Sequence, residues 1–296
     1  LQRSILAGLV IVLIGCLGWS TYTRNSVWAT EQSLWEDAMR KAPGNARPLL
    51  ALAWDIAYGE NPKPDQYDKA LALYARALPL KIHLNLPPAY IYNNMAGIYA
   101  KKQDYDQAVN YYRQALKIEP GHTRARFNLV NILIYKGQND EAEKHTDVLL
   151  AAHQNSGAYL NIKGLLLLRE KNAAGALSYL EKAWRAYPNN RRIRFNLAMA
   201  LSLKGHYNEA EKLLRKTDYR PAQNITTLFC LIENSVRAGD TAASQAYAAE
   251  LLLAYKPEFI RQSLNRHLED NMQVPLQKEL ITTAVESRRA VIEKNE

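Results

Sequence analysis

Apolar residues recur along most of this chain at the i, i+3, i+4, i+7 spacing of amphipathic helices, and short polar turns separate the helical stretches. From Ala89 onward the pattern itself repeats. Gln103-Asp104-Tyr105-Asp106-Gln107-Ala108 returns as Gly205-His206-Tyr207-Asn208-Glu209-Ala210, 102 residues later, which is three steps of 34. The intermediate steps are filled: Gly137 precedes Asp140-Glu141-Ala142, Lys171 precedes Gly175-Ala176, and Gly239 precedes Thr241-Ala242-Ala243. Five consecutive units follow, 89–122, 123–156, 157–190, 191–224 and 225–258.

A helix–turn–helix unit of 34 residues resembles the tetratricopeptide repeat (TPR). The unit Ala89–His122 carries Tyr92, Gly97, Tyr99, Tyr105, Ala108, Tyr112, Ala115 and Pro120 near the offsets of that motif. Small residues at the eighth and twentieth positions let the two antiparallel helices approach, and large ones at the fourth, eleventh and twenty-fourth fill the space between them. No unit can bury its apolar face alone, so the units are expected to stack. The predicted fold is all-α: a right-handed TPR superhelix of about six units, an α-solenoid, over 46–258, with capping helices over 259–296. Upstream, 24–45 reads as a half-repeat, Ala46–Tyr58 as a first helix and Tyr67–Leu80 as its partner. An insertion over 82–88 precedes the regular array. Downstream, helices are predicted over Glu258–Asp270 and Pro275–Lys294.

The first residues read differently. Ser4 to Thr23 holds no charge, and Ile5 to Trp19 is apolar. At 1.5 Å per residue the stretch is about long enough to cross a bilayer, and Trp19 and Tyr22 end it where aromatic rings favour the headgroup region. A transmembrane helix over 1–23, with membrane contact through 4–23, is the expectation. Two rivals stay open. A cleaved signal peptide lacks a small-x-small site. Leu13-Ile14-Gly15-Cys16 resembles a bacterial lipobox, but Leu17, Gly18 and Trp19 keep the run apolar past Cys16.

Arg24-Asn25-Ser26-Val27-Trp28, Glu31, Leu34-Trp35 and Lys41-Ala42-Pro43-Gly44-Asn45-Ala46-Arg47 resemble the segment after the last membrane helix of transmembrane-and-TPR O-mannosyltransferase-like proteins and their bacterial relatives. That resemblance implies a TPR region on the non-cytoplasmic, periplasmic side, cut from a longer chain. It also implies that catalysis resides in a membrane module outside this sequence, so no catalytic residue is carried over.

Composition narrows the chemistry. Two cysteines, Cys16 and Cys230, exclude a disulfide framework and a four-cysteine zinc site. The six histidines form no short metal-ligand spacing, and no glycine-rich phosphate loop or Gly-x-Ser-x-Gly elbow is present. No enzyme activity, metal or cofactor is expected. Cys230, at an inner first-helix position, reads as a small buried hydrophobe.

Binding is the expectation that remains. The fifth position of successive units holds Asn93, Phe127, Asn161 and Phe195; the sixth holds Asn94, Asn128 and Asn196. An amide donates and accepts at once, so such a row can hold an extended peptide backbone. It resembles the asparagine ladder of the TPR array in O-GlcNAc transferase. The alternative is that these amides bond within the array. A carboxylate clamp needs lysine at the fifth position and is excluded. Lys163, at the normally apolar seventh position, is expected to snorkel outward. The net charge of +9 concentrates in 181–220, where Arg191, Arg192 and Arg194 form a basic patch suited to an acidic partner. Nucleic acid is not expected, since no such motif accompanies the patch. The functional expectation is a membrane-tethered scaffold binding a protein or extended peptide in its groove. Its alternatives are an acceptor-presenting region of a membrane glycosyltransferase and an envelope-assembly lipoprotein. The chain has 18 Tyr against 4 Phe; half of the tyrosines fall at recurring repeat positions, as spacers between helices.

Overall fold

The computed structural model describes residues 2–80, 88–215, 225–269 and 276–295, the side chains of 2–7, 9, 26, 267–269 and 295 aside. The insertion expected over 82–88 lies outside the described residues except for Pro88. The described residues form sixteen α-helices and no strand. In chain order these are α1 (Gln2–Val27), α2 (Glu31–Lys41), α3 (Ala46–Tyr58), α4 (Pro64–Ala77), α5 (Pro88–Lys101), α6 (Tyr105–Ile118), α7 (Thr123–Tyr135) and α8 (Asn139–Ala152), then α9 (Gly157–Arg169), α10 (Ala173–Ala186), α11 (Arg191–Leu203), α12 (Tyr207–Arg215), α13 (Ile225–Arg237), α14 (Thr241–Ala254), α15 (Pro257–Glu269) and α16 (Lys278–Asn295). Two compact units divide the chain, Leu1–Leu129 and Val130–Glu296. The division falls inside α7, within the stretch the repeat period presents as one uninterrupted array.

One backbone device recurs at the five helix turns of the 34-residue array, from α5–α6 to α13–α14. Gln103, Gly137, Lys171, Gly205 and Gly239 all have positive φ, between 62° and 83°, and stand 34 residues apart. The following residue donates its N–H back across the helix end: Asp104 to Tyr99 O at 3.0 Å, Gln138 to Leu133 O at 2.8 Å, Asn172 to Leu167 O at 2.8 Å, His206 to Leu201 O at 2.9 Å and Asp240 to Ser235 O at 3.0 Å. This is the left-handed helix stop that glycine favours. At three of these turns the residue that donates then caps the next helix through its side chain. Asp104 accepts from Gln107 N at 3.2 Å, Asn172 from Gly175 N at 2.9 Å and Asp240 from Ala243 N at 2.9 Å. Two or three residues thus end one helix and begin its partner.

In the first unit the core is built around Leu49, Leu52, Ala53, Leu73, Tyr74 and Ile98 of α3, α4 and α5. Tyr58, on α3, sends its hydroxyl into the notch left by Gly97: a Cβ added there would lie 2.5 Å from that oxygen. In the second unit α9 and α10 close on each other at Gly164, where a Cβ would lie 2.5 Å from Leu180 Cγ. Ala176 and Ala183 of α10 are fully buried. Glu233 on α13 is also fully buried, yet its carboxylate is used at both oxygens. Oε1 accepts from Arg237 Nε and Nη2 at 3.0 and 2.7 Å, and Oε2 accepts from the Gln277 backbone N–H at 2.9 Å. That bond ties the segment leading into α16 to α13.

The membrane expectation is corrected. Among the described residues no helix is long and apolar enough to cross a membrane, so the membrane tether over 4–23, the lipid anchor and the non-cytoplasmic placement are not carried forward. α1 is itself 26 residues long, so what falls short among the described residues is its apolar stretch. Of the expected apolar run Ile5–Trp19, the side chains of 5–7 and 9 lie outside the described residues. From Val10 the apolar run ends at Trp19, after which α1 continues through Ser20, Thr21, Thr23, Arg24 and Asn25. Thr21 and Thr23 turn their hydroxyls back to Leu17 O and Trp19 O. Cys16 is exposed in mid-helix.

Burial pushes the phenols of Tyr58 and Tyr247 up to about 12. A folded-state pKa above the unfolded value of about 10 contributes stability that is complete below pH ~10 and is lost as pH rises toward ~12. The unfolding free energy in urea is therefore expected to be flat from pH ~7 to ~9 and to fall steeply above ~10, with the absorbance of the buried tyrosinates appearing together with unfolding. At the turns, Gln103→Gly and Lys171→Gly are expected to raise stability by about 0.5–1 kcal/mol each, since they relieve left-handed strain. Urea titration checks both.

Candidate functional site

The first helix of each pair carries the asparagine and phenylalanine residues singled out from the sequence, and the structure places them unequally. In the first unit Asn93 and Asn94 are buried, at 4% and 6% exposure. Asn93 Nδ2 donates to Asn94 Oδ1 at 3.2 Å. Asn93 Oδ1 and Asn94 Nδ2 have no hydrogen-bond partner among the described residues. Phe127 and Asn128 are half-buried. Asn128 faces the Tyr112 phenol, which burial holds well above its ordinary value and which the amide pulls down in part.

In the second unit Asn196 Nδ2 donates to Asn161 Oδ1 at 2.9 Å, linking α11 to α9. Asn161 and Phe195 are half-buried and Asn196 is buried. The Arg191 guanidinium stands over the Phe195 ring at 5.5 Å, one helical turn away. The amides are thus partly spent on each other. What they leave facing outward is one amide edge, an aromatic ring and a cation.

The basic cluster divides. Arg191 and Arg192 are exposed, but Arg194 is buried at 6% exposure and is no part of a solvated patch. Helical geometry explains this: 194 lies beside Ile193 and Leu197 on the packed side of α11. Lys163 also departs from expectation. It does not snorkel into water but stays buried and reaches α8, where Nζ donates to Glu143 Oε1 at 2.8 Å and Asp147 Oδ1 at 2.6 Å. Burial pulls its pKa down, yet the bonds to Asp147 and Glu143 outweigh that and the net shift is upward. Cys230 is fully enclosed and burial pushes its thiol far up, which suits a packing role and not a nucleophile. Among the described residues no group of three or more His, Cys, Asp or Glu is placed to hold a metal ion.

One feature escaped the sequence reading. On the first-helix side of the first unit Trp54 is 49% exposed and stacks on Tyr58 at 5.9 Å, while Lys101 Nζ lies 4.7 Å above the Tyr58 ring. The i, i+4 spacing of Trp54 and Tyr58 was the available signal, as was that of Arg191 and Phe195.

The repeat has known relatives over part of the chain. A family model described as tetratricopeptide repeat matches residues 99–166 and 167–225. Residues 99–225 carry tetratricopeptide repeats. It is 37% identical over 89 residues to the photosystem I assembly protein Ycf3 of Acaryochloris marina, covering 28% of this chain and 53% of that one. To the human protein O-mannosyl-transferase TMTC1 it is 26% identical over 166 residues, 55% of this chain and 17% of the other. The chain thus spans about half the length of the first relative and far less of the second. The crystal structure of a tetratricopeptide repeat protein from Parabacteroides merdae superposes with a TM-score of 0.60 at 15% identity, over 82% of this chain and 98% of that one. At that identity the likeness is one of fold: an all-α helical-repeat solenoid. TPR proteins bind protein or peptide partners, and the coarse function of this chain is that of an interaction scaffold.

The amide link between TPR units has a measurable worth. Asn196→Ala is expected to cost about 1 kcal/mol of unfolding free energy. In a double-mutant cycle with Asn161→Ala, a coupling of about 0.5–1.5 kcal/mol is expected. Additive losses would show that the bond contributes nothing.

Proposed function

We propose that this chain holds an extended segment of a protein partner against the first helices of its repeats. The observation that carries the reading is the arrangement on α9 and α11. The Asn161–Asn196 bond fixes two amides in register, and half-exposed Phe195 beside them is steadied by Arg191. An amide edge reads peptide backbone without regard to sequence, and an aromatic ring in a packed setting is the usual energetic anchor of an interface. Phe127 and Asn128 repeat the same pair of side chains in the first unit. Arg191 and Arg192 favour a segment with acidic residues.

A second reading draws on the similarity to the O-mannosyl-transferase. Here the chain is the repeat region of a longer protein, and the held segment is a polypeptide acceptor presented to an active site outside this sequence. Its supporting fact is partial, since only 17% of that relative is covered.

Selection of binders from a random peptide library with the full chain tests both. The best peptide is expected to bind Phe195→Ala at least tenfold more weakly, the loss of about 1.4 kcal/mol typical of a central anchor, with the far-ultraviolet circular dichroism unchanged. Undiminished affinity would discard the face. Enrichment of Ser and Thr among the selected peptides is expected under the second reading, and its absence counts against that reading alone.

A further inference from the structure

The second unit contains a cleft that the partner-binding face does not use. It opens where the end of α14 meets α15 and α16, and its volume is about 390 Å³. Its floor is aliphatic: Leu252, Ile260, Leu264, Ile281 and Val285. Ile260, Leu264 and Ile281 are buried beneath it, and Leu252 and Val285 are half-buried. Spacing puts these residues there. Ile260 and Leu264 are one turn apart on α15, as Ile281 and Val285 are on α16, so each helix turns one apolar stripe into the same gap. A terminal helix of a repeat array normally shows solvent a polar face. Here the two stripes part and leave apolar surface open between them.

The rim has one dominant sign. Arg261, Lys278 and Arg289 line it, against the single acid Glu286. Arg289 is engaged by Glu293, its Nε donating to Oε1 at 2.7 Å. Arg261 and Lys278 are exposed and carry no ion pair among the described residues. They stand on different helices, Arg261 one residue after Ile260 and Lys278 three before Ile281, so both head groups border the same apolar floor. A cavity of this size falls in the range of small-molecule sites, which pair a mostly apolar lining with a few placed polar groups.

We propose that this cleft binds an aliphatic carboxylate of medium chain length. The hydrocarbon lies on Leu252, Ile260, Leu264, Ile281 and Val285, and the carboxylate sits between Arg261 and Lys278. A fully apolar ligand would leave two cations beside it with no counter-charge. A cationic amphiphile would meet like charge at the rim. The carboxylate answers both parts of the lining.

Titration of the full chain with octanoate, decanoate and dodecanoate, followed through the isoleucine methyl NMR signals, tests this. Ile260 and Ile281 are expected to shift. Affinity is expected to rise about fourfold per added methylene until the cleft is full, the increment set by burying a CH₂. Decyltrimethylammonium at equal concentration is expected to bind at least tenfold more weakly than decanoate. The exposed-site double variant Arg261→Ala/Lys278→Ala is expected to lose at least tenfold for decanoate while its urea unfolding midpoint stays unchanged. Val285→Trp, which fills the cleft, is expected to abolish the shifts. Equal binding of the two decyl amphiphiles, or an unchanged affinity in the double variant, would overturn the carboxylate assignment. Isoleucine signals that ignore all three acids but respond to an acidic amphipathic helical peptide would overturn it too, and would give the cleft to a partner helix.

Discussion

Paired helices in this protein stay together because one of them gives up a side chain where the other needs room. At Gly164 a single added carbon would stand 2.5 Å from Leu180 Cγ, so α9 and α10 meet closer than two ordinary side chains permit. Fully buried Ala108, Ala142, Ala176 and Ala210, spaced 34 residues apart, serve the same end on the second helices. Close approach brings the aliphatic residues of each pair into contact over most of their length. It also fixes the direction in which the remaining faces point. The left-handed stop at the five turns of the 34-residue array is the companion constraint, since helices that approach so closely need a short connection, here three residues.

Polar groups follow from that packing. Once helices are close, a charged or amide side chain on a packed face is stabilised by a partner within the array. Lys163 finds Glu143 and Asp147, Glu233 finds Arg237 and the Gln277 backbone, and Asn196 finds Asn161. Removing a buried group of this kind strands its partner, which costs more than the bond itself contributed. In the second unit these pairings leave Phe195 half-buried under Arg191 and Asn161 half-buried beside it; in the first, Phe127 and Asn128 are half-buried. The same logic separates that face from the C-terminal cleft, where two apolar stripes lack a third to cover them.

The repeat was legible in the sequence because it rests on spacing. Ala46–Tyr58 is a helix end to end, and the helices beginning at Thr123, Gly157, Arg191 and Ile225 keep a step of 34. The second helix of the upstream pair begins at Pro64, three residues before the expected Tyr67, because proline is welcome in the first turn of a helix. What spacing does not carry is pairing. Nothing in the period indicates that Arg194 turns inward while Arg191 and Arg192 face water, or that Lys163 reaches back to α8. The acids it meets, Glu143 and Asp147, share one helix face by their i, i+4 separation, so a trace of that contact was present. The membrane expectation failed for a different reason. The apolar run Ile5–Trp19 was read as membrane-spanning, but no helix among the described residues is long and apolar enough to cross a membrane.

Close approach of paired helices is the claim on which the rest depends, and Gly164→Leu addresses it most directly. The substitution replaces a poor helix former by a good one, so local propensity alone would raise stability by roughly 1 kcal/mol. Collision with Leu180 opposes that, and overpacking of this kind costs about 1–3 kcal/mol or more. Measured by urea unfolding, a lower free energy for Gly164→Leu, recovered in part when Leu180→Ala opens the space, is the expected result. A Gly164→Leu protein as stable as the parent, or more so, would contradict it.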